Sequence, residues 1–217
     1  MQQAVTPEER ARIMAWRREQ RQRLIEARLA VPVAERQEAS ARIIQQLDKH
    51  CRAAGLLRDG AVVSGYWPLR GEPDMRPWLV ALHAAGFVTV MPVVVTKGAP
   101  LRFRRWTQGC RMEKGFWDIP VPADPAEYTP QLLLAPVVGF DAQCYRLGYG
   151  GGYFDRTLAL LQTQQRSFDA IGVGYESARL PSIHPLPHDI ALQGVITESV
   201  VQAPAAEIAP CVLPHVF

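Results

Sequence analysis

The residues best suited to chemistry lie in one run, Arg146-Leu147-Gly148-Tyr149-Gly150-Gly151-Gly152-Tyr153-Phe154-Asp155-Arg156. Four glycines in the five positions 148–152 let the backbone come close to a ligand. The pattern behind them predicts a helix from about 153 to 165. Its first N–H groups would be unpaired, and its dipole is positive at that end. A loop entering a helix in this way is an anion site suited to phosphates. Arg146 adds a planar charge that grips phosphate oxygens in pairs, and Asp155 offers a hard donor to a divalent cation bridging them. The segment has no GK[ST] of a P-loop and no dinucleotide fingerprint in position. A glycine turn before a helix can also serve only to close a tight connection. On chemistry alone the run reads as a site for a nucleotide or phosphorylated ligand.

The elements that must hold this loop follow from periodicity and punctuation. Thr6-Pro7-Glu8-Glu9 opens a helix, with Thr6 as N-cap and Pro7 in the first turn. Ile13, Trp16, Leu24, Ala27 and Leu29 form its apolar stripe, and Val31-Pro32 ends it. A second helix carries Ala39, Ile43, Ile44 and Leu47 on one face. Ala61–Tyr66, a helix over Met75–Ala85 and Phe87–Val90 closed by Pro92 make a βαβ unit with parallel strands. Leu101–Trp106 reads as a strand near an edge, and residues 107–130 as a long surface connection. Leu132–Val138 is a buried strand leading to the glycine loop, Ala170–Gly174 another, and Val195–Thr197 a short final one. The alternation predicts a single α/β domain over 1–217, a mostly parallel sheet flanked by helices with an N-terminal helical pair.

Composition narrows the function classes. Hydrophobic residues make up 48% of the 217 and charged residues 21%, enough for a sizeable core. The net charge of +3 is too mild, and its basic residues too dispersed, to point to nucleic acid. The four cysteines, Cys51, Cys110, Cys144 and Cys211, show no metal-finger spacing and read as free thiols. The polar, acid-containing N-terminus is unlike a secretory signal, and no apolar run nears the roughly 18 residues of a membrane span. A cytoplasmic monomer without nucleic-acid or membrane partners is the expectation.

Phe140-Asp141 followed by the run 146–156 resembles the FD…RLGYGxGYYDR signature of the 5-formyltetrahydrofolate cyclo-ligase (methenyltetrahydrofolate synthetase) family. Gly71-Glu72 after a strand, Pro187-His188-Asp189 before Val195-Ile196-Thr197-Glu198, and the arginine-rich first helix resemble further parts of that pattern, in its order, over about residues 15–200. The resemblance implies the sugar-phosphate isomerase/CoA-transferase-like α/β fold. It implies ATP-dependent cyclisation of 5-formyltetrahydrofolate to 5,10-methenyltetrahydrofolate with release of ADP and phosphate, with ATP as co-substrate and Mg²⁺ as cofactor.

It also implies roles. Arg17, Arg21, Arg146, Gly148, Tyr149, Gly150, Gly151, Gly152, Tyr153 and Phe154 would bind ATP, with Tyr149 and Tyr153 also lining the folate. Glu72 would accept from the pterin's N–H donors, and Asp155 and Asp189 would hold the metal. The bland readings are a solvated basic face for Arg17 and Arg21, an exposed loop residue for Glu72, a helix-terminus carboxylate for Asp155 and a turn residue for Asp189. Arg18 and Arg23 belong to solvent. Trp67 and Trp106 could pack on the substrate's rings or in the core, and Arg70, Lys97, Arg102 and Arg104 are the candidates for the folate's glutamate tail. Val121, Cys144, Phe154 and Ser177 depart from the family pattern, which leaves open a folate- or nucleotide-binding paralogue with weak or no turnover. A sugar-phosphate isomerase or CoA-transferase-like enzyme would need a catalytic carboxylate–lysine arrangement or a nucleophilic glutamate, and none of Lys49, Lys97 and Lys114 sits at an obvious strand end by the loop.

Overall fold

The computed structural model describes residues 5–204, so Cys211 lies outside it. Helix α1 (Pro7–Ala30) starts as its sequence dictates: the Thr6 hydroxyl accepts from the Glu9 N–H at 3.2 Å. It ends at Val31, which is extended as the residue before a proline must be. The Arg36 guanidinium then donates to the carbonyls of Arg28, Leu29 and Val31, satisfying the helix end. The buried face of α1 is not the expected stripe. Ala27 and Leu29 point to solvent, and Arg17, Leu24, Ile25 and Arg28 are buried. Arg17, Arg21, Leu24 and Arg28 recur at helical spacing, so this helix presents arginines inward. Arg18 and Arg23 are exposed, as expected.

Helix α2 (Val33–Ala53) buries Ala39, Ile43 and Leu47. Next come β1 (Val62–Ser64), α3 (Arg76–Ala84), β2 (Val88–Val93), β3 (Arg102–Arg105), β4 (Met112–Lys114), β5 (Pro120–Pro122), β6 (Leu132–Pro136), β7 (Gly139–Phe140), β8 (Arg146–Leu147), α4 (Tyr153–Thr163), β9 (Asp169–Val173), β10 (Gly194–Ile196) and β11 (Val201–Gln202). Seven strands form one sheet in the order β11-β10-β9-β6-β1-β2-β3. Its five inner strands are parallel, and the edge strands β3 and β11 run antiparallel to their neighbours. Two apolar clusters cover the sheet's two faces. Ile43, Leu47, Trp78, Leu79 and Leu82 belong to one, and Leu24, Leu158 and Leu161 to the other.

Four expectations need correction. Pro92 lies inside β2, opposite Phe103 of β3. The Val88 N–H and the Val90 carbonyl bond toward β1, so position 92 faces that side past the end of β1, where no ladder bond is lost. Residues 107–130 are not an unstructured connection, because β4 and β5 form a hairpin arm whose tip is Phe116–Asp118. The β7–β8 hairpin stands between β6 and the glycine loop, and β11 follows β10 as a further strand.

The chain leaves β1 toward β2 and leaves β6 toward β9, in opposite directions along the sheet. The crevice between the carboxyl ends of β1 and β6 is therefore a topological switch point, where open α/β sheets bind ligands.

Candidate active site

The loop after β1 brings Tyr66, Trp67, Leu69 and Glu72 to this crevice, and the segment after β6 brings Arg146 and the glycine loop. Helix α1 closes it with Met14, Arg17 and Arg21, and the segment before β10 with His188 and Asp189. One cavity is thus lined by Arg17, Arg21, Glu72, Arg146, Gly148, Tyr149, Gly150, Gly151, Gly152, Tyr153, Phe154, Asp155 and Asp189.

At one end of the cavity the charges are paired. The Arg17 guanidinium donates to both oxygens of Asp189, the closer at 2.5 Å, and to the carbonyls of Ile183 and His184. Burial alone would raise the Asp189 carboxyl, but Arg17 and the Leu186 N–H hold it below the usual carboxylate range. Arg146 is buried, lies 3.0 Å from Asp155 and stacks over the Phe154 ring at 5.5 Å. Burial lowers its pKa against the pull of Asp155. Arg21 donates to the Gly148 carbonyl at 2.7 Å, and burial and then Arg17 lower its pKa.

The glycine loop follows from local sterics. Gly152 caps α4 in the left-handed region at φ 65°, with no side chain bonding the first N–H groups of the helix. A Cβ on Gly151 would lie 2.7 Å from the Tyr153 ring, so a larger residue there would push that ring aside. Arg156 closes the turn on the Gly151 carbonyl and lies 5.1 Å over the Tyr153 ring.

The other end is aromatic and holds one carboxylate. Glu72 is buried and its Oε2 accepts from the Leu69 N–H at 2.8 Å, but Oε1 has no partner among the described residues. Burial pushes this carboxyl up to about 7, against the Leu69 N–H, the Arg28 charge and Tyr149. Glu72 lines the cavity, and a buried acceptor left without a donor is costly. Tyr149 stands between the two ends, accepting from Arg28 at 2.8 Å and donating to the Leu69 carbonyl at 3.3 Å. Burial and then Glu72 raise its pKa.

The tryptophans part ways: Trp67 lines the cavity, whereas Trp106 is buried in the core beside α2 and α3. Arg70, Lys97, Arg102 and Arg104 line no part of it. Arg102 and Arg104 pair with Glu127 and Glu113, and Arg70 faces a neighbouring groove along α1 with Arg18, Arg21 and Tyr149. Among the described residues no lysine lines the cavity. The expected site set leaves out Arg28 and Trp117, besides lining residues such as Met14, Tyr66 and Leu69. Arg28 was detectable, since it continues the helical series 17, 21, 24, 28. Trp117 was not: it reaches the cavity from the tip of the β4–β5 arm, at φ 56°, with its ring 5.7 Å edge-on from Tyr153.

The chain is similar to known proteins in sequence and in fold. A protein named 5-formyltetrahydrofolate cyclo-ligase from Mycolicibacterium smegmatis is 30% identical over 152 residues, covering 66% of this chain and 77% of its own. One of the same name from Escherichia coli is 29% identical over 137 residues, covering 60% and 74%. The fold matches the 5,10-methenyltetrahydrofolate synthetase of Aquifex aeolicus at a TM-score of 0.70 and 23% identity, over 86% of this chain and 92% of that one. It matches the synthetase of Mycoplasma pneumoniae at 0.67 and 21%, over 84% and 98%. The model of the 5-formyltetrahydrofolate cyclo-ligase family matches residues 13–198, the span that contains every residue lining the cavity, and the chain belongs to that family.

Proposed function

We propose that this chain catalyses the ATP-dependent cyclisation of 5-formyltetrahydrofolate to 5,10-methenyltetrahydrofolate, releasing ADP and phosphate, as a single-domain, cytoplasmic monomer. The observation that carries the reading is the joining, in one cavity, of a three-arginine glycine cradle to a buried carboxylate with an unpartnered oxygen. The cradle suits a nucleotide's phosphates, and Glu72 suits the paired N–H donors of a pterin edge.

The chemistry follows from the substrate. An amide oxygen is a poor leaving group, and phosphorylation makes it a good one. The formyl oxygen attacks the γ-phosphorus of ATP, and the bond to ADP breaks. N10 then attacks the formyl carbon, its proton passes to the departing phosphate, and the C–O bond breaks to leave the methenyl bridge. Arg17, Arg21, Arg146 and the loop N–H groups orient the phosphates and offset their charge. Glu72 holds the pterin, and Tyr66, Trp67, Trp117 and Tyr153 keep water from the activated formyl group.

Mg²⁺ fits the donors at the phosphate end. Among the described residues no three His, Cys, Asp or Glu side chains form a cage of their own. Mg²⁺ commonly takes one or two carboxylates and completes its shell with phosphate and water. Asp155, whose side chain is 19% exposed, is the more open donor, and Asp189, at 9%, the more enclosed. The cation would neutralise phosphate charge there.

The departures from the family pattern do not favour a binding-only paralogue. Val121 and Cys144 are buried outside the cavity, Ser177 is exposed outside it, and only Phe154 lines it. The test is the absorbance of the methenyl product with purified protein, 5-formyltetrahydrofolate, Mg²⁺ and ATP, beside Asp155→Ala. An ATP-dependent rise lost in the variant is expected. No rise from folded protein at high concentration would overturn the reading.

A further inference from the structure

Asp141 is 3% exposed, lines no part of the cavity and has no ion-pair partner among the described residues, yet its carboxylate is fully used. Oδ1 accepts from the N–H groups of Gln143 and Tyr145, both at 3.1 Å. These bonds shape the turn between β7 and β8, where Cys144 sits at φ 60°. Arg146 is the next residue after Tyr145, paired across the hairpin with Phe140. Oδ2 accepts from the Ile183 N–H at 3.0 Å, 42 residues away. That N–H belongs to the start of the segment 183–190, on which Arg17 and Arg146 both rest. Arg17 donates to the carbonyls of Ile183 and His184 and to Asp189, and Arg146 donates to the carbonyl of Ile190.

One carboxylate therefore ties the base of Arg146 to the seat of Arg17. We propose that Asp141 is a positioning residue for the nucleotide: without touching it, Asp141 sets the separation of Arg17 and Arg146 across the phosphate end of the cavity. This rests on the cyclo-ligase reading above. The geometry also explains why a carboxylate is needed. Three N–H groups converge on two oxygens, and a side chain with one acceptor serves only one side. In Asp141→Asn the single oxygen can keep the two turn N–H groups, which leaves the amide N–H₂ facing the Ile183 N–H. The 183–190 segment is then released while the hairpin stays.

The experiment is calorimetric titration of wild type and Asp141→Asn with a non-hydrolysable ATP analogue plus Mg²⁺, and separately with 5-formyltetrahydrofolate. Affinity for the analogue should fall about tenfold, the scale on which loss of a supporting hydrogen bond behind a ligand-holding group is felt. Affinity for the folate should stay within about twofold, because Glu72 and its loop are untouched. In an Arg17→Ala background the Asp141→Asn change should cost much less, since its effect runs through Arg17. Asp141→Glu, which keeps the charge but lengthens the arm, serves beside it. For either variant the ligand-induced rise in melting temperature gives the same split even if the fold is weakened. Equal losses for both ligands, no loss for either, or full additivity with Arg17→Ala would overturn the proposal. A wild type that binds neither ligand would instead overturn the cyclo-ligase reading itself.

Discussion

At the phosphate end of the cavity the arginines have partners already: Arg17 on Asp189, Arg146 on Asp155 and Arg21 on the Gly148 carbonyl. At the other end, the one proposed for the folate, Glu72 keeps one oxygen bare in a buried, aromatic setting. The first arrangement holds charges in place before the ligand arrives, so little reorganisation is needed when phosphate charge appears. The second leaves an acceptor whose desolvation is uncompensated until a donor binds, so it discriminates by what it lacks. Substitutions at the two ends should therefore act in opposite directions on stability while both reduce activity.

The largest effect is expected from Arg146→Ala. Removing one partner of a buried pair leaves Asp155 uncompensated, which should cost about 3 kcal/mol of stability in urea unfolding. Loss of charge stabilisation at the transferred phosphate should lower kcat/KM by about 10²–10³-fold. Unchanged stability would break the comparison at its first limb.

Glu72→Gln comes next. The kcat/KM for 5-formyltetrahydrofolate should fall by roughly 10–100-fold, with KM for ATP unchanged, because hydrogen bonds to a charged group contribute about 1.5–3 kcal/mol. At pH 8 the same variant should be more stable than wild type in urea, because it removes a buried charge with an unmet oxygen. A loss of stability there would break the second limb.

The pH dependence sharpens the contrast. The folded-state pKa of Glu72 is raised to about 7, above its ordinary value, so the folded protein holds this proton more tightly than the unfolded chain. Its contribution, about 3 kcal/mol by linkage, is fully present below the ordinary carboxyl pKa and is lost as pH rises through about 7. Binding of pterin N–H donors favours the ionised form, so KM for the folate should fall over the same window. Both slopes should vanish in Glu72→Gln, measured by urea midpoints and by KM from about pH 6 to 8.5.

The smallest effect is that of Trp117→Ala at the arm tip. Loss of an edge-on aromatic contact with Tyr153 of about 0.5–1.5 kcal/mol should raise KM about three- to tenfold for the ligand that Tyr153 lines. An unchanged KM for both ligands would remove Trp117 from the site.

Much of this was legible along the chain. Thr6 and Pro7 start α1 through contacts within four residues, and the glycines at 150 and 152 announce a left-handed backbone, at φ 95° and 65°. The βαβ unit and the edge position of 102–105 follow from hydrophobic runs and their punctuation. The arm at 112–122 was hidden because its strands are three residues each, too short to show alternation, and its prolines read as loop. Pro92 misled for a related reason: a proline disrupts a ladder only where a partner exists, and the end of β1 decides that.

By itself the sequence determined what depends on neighbours in the chain: the capped first helix, the glycine turn into α4, the alternation of strands and helices, and the set of residues proposed to bind phosphate, pterin and metal. The tertiary structure alone decided how those residues are satisfied. The Arg17–Asp189 pair spans 172 positions, the Asp141–Ile183 bond spans 42, and the bare oxygen of Glu72 exists only because packing buries one side of a carboxylate and supplies a donor to the other. Burial and partnership are set by which distant segments come together, and a local pattern carries no record of that.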